Sequence, residues 1–177
     1  MKADNTIKQF NSLADALNSL FGGGKIVQKE PVAGGDINQA YKLTLTDGTT
    51  LFLKTNSQTD TDFFAAEAVG LSAIAQTGAI CVPQVLAYGS DAAGSFLLME
   101  YVHNPRRNAR YWETFGQQLA AMHKASTKEM VSGGCFGFMQ NNYIGMRQQI
   151  NIPYAKWCDF FRYCRLAPQF QQAKKYF

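Results

Sequence analysis

A lysine at the end of one predicted strand and a glutamate inside the following predicted helix are the side chains best placed to do chemistry. Lys54 closes the strand-like stretch LFLK, and Glu67 falls inside the apolar stripe of a helix predicted over 62–76. A carboxylate that points into a core costs several kcal/mol unless a cation pairs with it. We therefore predict an ion pair between Lys54 and Glu67. The alternative is that Glu67 lies at the edge of the stripe and reaches water.

Two adjacent glycines precede this pair and could bring the backbone close to an anion. Gly34 and Gly35 lie in AGGDINQAY, between two stretches that are typical of strands. Backbone N–H groups freed by glycines can approach phosphate oxygens. A lysine of the third strand can then hold phosphates while a helix glutamate orients it. The order strand, Gly-rich loop, strand, Lys, helix, Glu favours a phosphate-binding loop over an ordinary turn, although the G-x-G-x-x-G pattern is absent.

Hydrophobic periodicity predicts the elements that must position these groups. Apolar residues spaced by three and four predict a first helix over 7–21, with Asp4 or Asn5 as its cap. Strands are predicted over 25–30, 39–45, 49–54, 84–88 and 95–102. Asp47-Gly48 is a strong hairpin signal. The predicted fold class is α+β, with an antiparallel five-stranded sheet and the helix over 62–76 packed on it.

The chain changes character after Val102, and we predict two domains, 1–102 and 103–177. Helices are predicted over 108–124 and 154–165. The first part carries 6 lysines and 10 acids, and the second carries 5 lysines, 6 arginines and 3 acids. The basic residues of the second part are spaced and lack interleaved aromatic residues on one face. A solvated face is therefore favoured over nucleic-acid binding.

The cysteines and histidines form no recognisable site. The cysteines lie at positions 81, 135, 158 and 164, and these separations match no zinc or iron–sulfur spacing, so no metal site is predicted. His103 and His123 have no matching nucleophile or metal partner and are expected to be structural. No stretch approaches the ~20 apolar residues that span a bilayer. The N-terminal stretch is unlike a signal peptide, so we predict a cytoplasmic location without a membrane partner.

The stretch FLLMEYV, residues 96–102, resembles the hinge between the two lobes of a protein-kinase-like fold. An apolar strand there runs into a polar and aromatic exit where the chain turns helical. The resemblance implies that Met99 is the gatekeeper, that the carbonyl of Glu100 accepts from the adenine amino group, and that the N–H of Val102 donates to a ring nitrogen. The alternative is an edge strand that binds no ligand.

Eight blocks taken together resemble the fructosamine kinase (ketosamine-3-kinase) family. In chain order they are GGDINQAYKL, FLKTN, FFAAEAVGLSAI, VPQVLAYG, FLLMEYV, FGQQLAAMHK, FGF…NNYIG and WCDFFRYCRLAPQ. NNYIG and FF…RL.PQ are the specific ones, and the resemblance runs from about residue 25 to the last residue. It implies a protein-kinase-like N-lobe followed by an incomplete helical C-lobe.

The resemblance also implies an activity and a set of site residues. The activity is ATP- and Mg²⁺-dependent phosphorylation of the 3-hydroxyl of a ketoamine sugar on an amine or a protein lysine. Its substrate-side candidates are Asn141, Asn142 and Tyr143; the alternative for that stretch is a surface turn. The nucleotide-binding residues so implied are Gly34, Gly35, Asp36, Ile37, Asn38, Lys54, Glu67, Met99, Glu100, Tyr101 and Val102.

Two departures from the family pattern accompany the resemblance. Gln148-Gln149 stands where the family usually has Pro-Gln, and no His-Gly-Asp catalytic motif occurs in the sequence. We therefore expect the catalytic Asp and the Mg²⁺ ligands beyond Phe177, and a truncated chain without activity. Alternatives are a non-catalytic nucleotide- or partner-binding remnant, or a fragment of an aminoglycoside or choline phosphotransferase.

An aromatic cluster near the end of the sequence is expected to lie on the surface. Trp157, Phe160, Phe161 and Phe170 would normally pack against helices that such a truncated lobe lacks. An exposed apolar patch of this kind favours association. Self-association through this surface is therefore predicted.

Overall fold

The computed structural model describes residues 7–35, 37–58, 61–103, 107–128 and 130–176. Its contacts divide the chain into two compact units, Met1–Met122 and His123–Phe177. The helix α3, Tyr111–Lys124, begins in the first unit, and the domain division at Val102 stays a prediction. None of the helices in the described ranges is long and apolar enough to cross a membrane.

The first unit is built on one six-stranded sheet, and the α+β class is confirmed. The sheet order is β1-β5-β6-β4-β3-β2. Its pairs are antiparallel except for β1 and β5, which are parallel. The elements are β1 Lys8–Phe10, α1 Leu13–Phe21, β2 Ile26–Pro31, β3 Gln39–Leu45, β4 Thr50–Asn56, α2 Asp62–Gln76, β5 Val85–Asp91 and β6 Gly94–Glu100.

The sixth strand comes from the stretch that was predicted to begin the first helix. Residues 8–10 pair with β5, and α1 begins only at Leu13 because Ser12 caps it. The Oγ of Ser12 accepts a hydrogen bond of 3.0 Å from the N–H of Asp15. Apolar residues three apart do not distinguish a short strand followed by a cap from the start of a helix. The predicted caps, Asp4 and Asn5, lie outside the described residues.

The parallel pairing of β1 with β5 depends on a glycine. Phe10 lies opposite Gly89 in the register. A Cβ built at Gly89 would collide with the carbonyl oxygen of Phe10. Any side chain at this position would therefore push β1 away from β5.

The sheet carries one helix on each face because the buried strand β6 presents alternate residues to both. Leu98 packs in a cluster that includes Leu17 of α1. Leu97 and Met99 pack on the other face with Phe64 of α2. Since side chains alternate across a strand, β6 is apolar along its length and α2 is fixed over β5 and β6.

The second unit contains a hairpin and a continuous helical segment. Its elements are β7 Asn142–Ile144, β8 Arg147–Gln149, α4 Trp157–Phe161, a π-helical turn Arg162–Leu166, and α5 Ala167–Ala173. The helix predicted over 154–165 thus begins later and continues further. It continues past Pro168, the second residue of α5, which follows directly on the π-helical turn.

The π-helical turn keeps an apolar stripe on one side of this segment. A π-turn adds a residue to the helical repeat, and Trp157, Phe161, Leu166 and Phe170 line one cleft of about 570 Å³. Trp157, Phe161 and Phe170 are exposed, in line with the sequence. Phe160 is not: it is 5% exposed, with the guanidinium of Arg165 over its ring. Self-association through this stripe stays a prediction.

Candidate functional site

The structure forms the ion pair predicted from the sequence. The Nζ of Lys54 lies 2.7 Å from each carboxylate oxygen of Glu67. The two side chains are 23% and 28% exposed, so the pair is partly shielded but open to a ligand. An ammonium has three donors, and Glu67 accepts from two of them. Lys54 is therefore held in place between β4 and α2, and no acceptor within the described ranges engages its third donor.

The glycine pair lies at the top of a loop whose ends are closed by a backbone hydrogen bond. The N–H of Val32 donates to the carbonyl of Ala40 at 2.8 Å. Gly34 and Gly35 have φ angles of 121° and 102°, values that only glycine adopts readily. Both are exposed, and a Cβ on Gly34 would meet nothing within 4 Å. The loop thus presents bare backbone to solvent, which suits an anion.

An asparagine at the end of β4 ties this loop to the strand that carries Lys54. The Nδ2 of Asn56 donates to the Oδ1 of Asn38 at 2.9 Å. Because Asn56 follows Lys54 by two residues, both side chains leave the same face of the strand. Ile37 is exposed in the loop, and Asp36 lies outside the described residues. The loop and the ion pair therefore share one face of the sheet.

That face also carries two residues that the sequence did not indicate. In the register Lys42 lies opposite Phe52, and Phe52 lies opposite Met99. Phe52 precedes Lys54 by two residues, so all of these side chains project from the face on which α2 packs. Alternation along β4 places Phe52 on this face, whereas strand register, which emerges from the folded sheet, brings Lys42 to it.

The predicted hinge residues lie at the end of β6. Met99 is 4% exposed and packs with α2. Glu100 is exposed and donates its N–H to the carbonyl of Gln84 at 3.0 Å. Tyr101 is half-buried and Val102 is exposed beyond the strand. The segment thus begins in the core and leaves it within three residues.

The two adjacent carboxamides of NNYIG are held by a buried asparagine that no sequence pattern indicated. Asn151, 3% exposed, donates its N–H to the Oδ1 of Asn141 at 2.9 Å and its Nδ2 to the Oδ1 of Asn142 at 3.0 Å. The Nη2 of Arg165 donates to the Oδ1 of Asn151 at 2.7 Å. Tyr143 is half-buried in β7. The hairpin is therefore fixed internally, and its substrate-side role stays a prediction.

Arg165 connects this hairpin to the helical segment. Its Nη1 donates to the carbonyls of Ile150 and Cys164, each at 2.9 Å. Its guanidinium lies 4.6 Å from the ring centroid of Phe160. Burial lowers the pKa of Arg165, which nonetheless stays cationic at neutral pH. Arg165 lies in the π-helical turn. A regular helical repeat in the sequence would therefore not predict its contact with Asn151.

Replacing Asn151 with alanine is expected to destabilise the second unit by about 2–3 kcal/mol, because it removes the hydrogen bonds of this buried side chain to Gln140, Asn142 and Arg165. Urea unfolding followed by tryptophan fluorescence measures the loss. Asn142→Ala removes one of these hydrogen bonds and should cost about 1 kcal/mol. Gln148→Ala on the exposed strand β8 serves as the control. A stability of Asn151→Ala equal to that of Gln148→Ala would contradict the network.

The model of a family described as fructosamine kinase matches residues 9–176. The chain belongs to the fructosamine kinase family. The resemblance seen in the sequence blocks is thereby confirmed.

Curated relatives within this family carry kinase names. The chain is 38% identical over 152 residues to a probable ketoamine kinase of Synechocystis sp., covering 85% of this chain and 49% of the relative. It is 35% identical over 150 residues to a chloroplastic protein-ribulosamine 3-kinase of Oryza sativa subsp. japonica, covering 83% and 42%. The chain thus spans about half the length of the curated relatives it matches.

Two solved structures, each described as a "putative fructosamine-3-kinase", share the fold. One from Haemophilus somnus superposes with a TM-score of 0.81 at 27% identity, covering 93% of this chain and 54% of that chain. One from Thermobifida fusca has a TM-score of 0.73 at 30% identity, covering 94% and 55%. The kinase-like fold of the fructosamine kinase family is therefore present in this chain.

Membership of a kinase family implies that the family uses a nucleoside triphosphate and a divalent cation. The arrangement of Lys54, Glu67 and the glycine loop fits a nucleotide phosphate, because it offers a fixed cation beside bare backbone. A metal fits less well. Within the described ranges, no group of three or more His, Cys, Asp or Glu side chains is close enough to hold an ion. No chemical step can therefore be assigned to a metal at these residues.

Proposed function

We propose that this chain is the nucleotide-binding part of an ATP-dependent ketoamine kinase. Lys54, oriented by Glu67, binds the phosphates, and the loop Gly34–Asn38 covers them. The carbonyl of Glu100 and the N–H of Val102 bind the adenine edge, with Met99 behind the base. The observation that carries this proposal is the 2.7 Å ion pair of Lys54. Lys54 projects from β4, the strand whose Asn56 donates a hydrogen bond to Asn38 of the glycine loop.

The reaction proposed for the whole kinase is transfer of the γ-phosphoryl group to the 3-hydroxyl of a ketoamine sugar on an amine or a protein lysine. The name of the rice relative, a protein-ribulosamine 3-kinase, supports this substrate class. The hairpin with Asn141, Asn142 and Tyr143 is proposed to lie on the substrate side. The first lobe is proposed to span 1–102 and the helical part 103–177, in a cytoplasmic protein.

The proton acceptor for the hydroxyl is proposed to lie outside these 177 residues. Phosphoryl transfer of this kind uses a carboxylate that accepts the hydroxyl proton, and carboxylate or amide ligands for Mg²⁺. The sequence contains no His-Gly-Asp. The residues present would therefore bind and orient the phosphate donor without activating the sugar hydroxyl.

Calorimetric titration with ATP·Mg²⁺ tests the nucleotide-binding proposal. We expect saturable binding with a Kd in the range of about 1 μM to 1 mM, typical of enzyme substrates. We expect no phosphorylation of a fructosamine or ribulosamine by the chain alone. Absence of binding up to 10-fold above about 1 mM would reject the proposal. Turnover that is lost in Lys54→Ala would show that the chain carries its own proton acceptor.

A further inference from the structure

A second lysine lies on the same face of the sheet as Lys54, but nearer the hinge. Lys54 lies opposite Ala40. Lys42 lies opposite Phe52, which in turn lies opposite Met99, so that these three residues form one row across the sheet. Lys42 and Ala40 are two residues apart on β3, which is about 6.8 Å along an antiparallel strand. The row that contains Lys42 is therefore one repeat closer to the end of β6 than the row that contains Lys54.

The ammonium of Lys42 is directed toward the segment that follows β6. Its Nζ lies 5.4 Å from the ring centroid of Tyr101 and 3.4 Å from the Oε2 of Glu30. The Lys42 and Glu30 side chains are 30% and 46% exposed. An ion pair with this exposure contributes about 0–1 kcal/mol to stability. Its larger effect is to orient the ammonium between β2 and Tyr101, and no hydrogen bond within the described part of the chain engages its remaining donors.

We propose that Lys42 binds the nucleoside part of the nucleotide, whereas Lys54 binds the phosphates. The inference rests on the proposed function. A nucleotide with its phosphates at Lys54 and its base at the hinge must cross the row of Lys42, Phe52 and Met99. The acceptors that it presents there are the ring nitrogens of the base and the oxygens of the ribose. Lysine is a donor-only group, so Lys42 is matched to these atoms.

Two simpler roles for Lys42 make different predictions. A cation that acts only through its long-range field would favour ATP over AMP, because ATP carries more negative charge. If Lys42 serves only the ion pair with Glu30, removing it would change the Kd of neither ligand. If Lys42 contacts the nucleoside directly, removing it would raise the Kd of ATP and the Kd of AMP by the same factor, because both ligands carry the same nucleoside.

The test is displacement of a fluorescent ATP analogue by ATP and by AMP. Lys42→Met is expected to raise the Kd of both ligands by about 10-fold, the effect of one hydrogen bond from a charged donor. Lys54→Met should raise the Kd of ATP more than that of AMP. Lys42→Arg keeps a cationic donor and should stay within about threefold of wild type. Melting curves of each variant establish that it is folded.

The matched control is Lys29, a lysine of the neighbouring strand on the opposite face. It lies opposite Leu43 in the register, and its Nζ lies 3.9 Å from the ring centroid of Tyr41. Lys29→Met removes the same charge and should change neither Kd by more than about twofold, because its ammonium lies on the opposite face of the sheet and can act on the nucleotide only as a solvent-screened charge.

The outcomes separate this inference from the proposed function. Wild-type protein that binds neither ligand would overturn both. Wild-type protein that binds ATP, with Lys42→Met unchanged for both ligands, would overturn the inference alone. So would a loss of ATP affinity in Lys42→Met without a comparable loss for AMP. Equal losses for the two ligands, with Lys29→Met unaffected, would support it.

Discussion

Lys54→Met is expected to weaken ATP binding by about 100-fold, equivalent to about 2.7 kcal/mol. The variant loses the fixed cation for the phosphates and leaves the carboxylate of Glu67 to repel them. Because Glu67 is 28% exposed, its unpaired charge can reach water, and the loss of folding stability should not exceed about 1 kcal/mol. Calorimetric titration measures the affinity, and urea unfolding measures the stability.

Glu67→Gln separates the charge of Lys54 from its orientation. This variant keeps the ammonium but loses the bidentate contact at 2.7 Å. We expect a loss of ATP affinity of about 10-fold, since the ammonium must then be ordered on binding. Lys29→Met again provides the control for net charge. An affinity of Lys54→Met within threefold of wild type would place the phosphates elsewhere on the molecule.

Gly94→Ala is expected to destabilise the first unit by about 3 kcal/mol or more. Gly94 has a φ of 129°, and a Cβ there would collide with the carbonyl oxygen of Asn56. The unfavourable φ alone costs about 1–3 kcal/mol. The collision adds to it, because the atom in the way is backbone. Displacing Asn56 should also release its hydrogen bond to Asn38 and loosen the glycine loop.

Gly116→Ala is the matched control for this substitution. Gly116 lies inside α3, and a Cβ there meets nothing within 4 Å. Alanine in a helix interior is favoured over glycine by about 0.5–1 kcal/mol. Urea unfolding should therefore show Gly116→Ala slightly more stable than wild type and Gly94→Ala much less stable. Equal stabilities for the two variants would contradict the packing of Gly94 against β4.

Elements with a clear period and clear ends could be predicted from sequence. The helix Asp62–Gln76 and the strand Gln39–Leu45 occur at the predicted residues, because periodicity and flanking turn residues agree there. The strand Lys8–Phe10 could not be predicted, since three residues carry no period. Its formation depends on the distant strand β5.

The candidate site likewise contains contacts that could be predicted from the sequence and contacts that could not. The pairing of Lys54 with Glu67 could be predicted because a charge within an apolar stripe requires a partner. The contact of Asn151 with Arg165 could not, because it depends on a π-helical turn that no local pattern specifies. The position of Lys42 in line with Phe52 and Met99 also depends on the register of three strands. Long-range geometry therefore determines the parts that the sequence did not indicate.

The short strand β1 has a consequence for how the protein avoids aggregation. An open sheet edge can pair with a strand of another molecule. Gly89 has no side chain to obstruct such a neighbour, so without residues 8–10 the outer edge of β5 would accept foreign backbone as easily as it accepts Phe10. At the opposite edge, Lys29 and Pro31 of β2 hinder pairing by charge and by a missing N–H. Because β1 has only three residues, it covers part of β5 and leaves only a short edge of its own for intermolecular pairing.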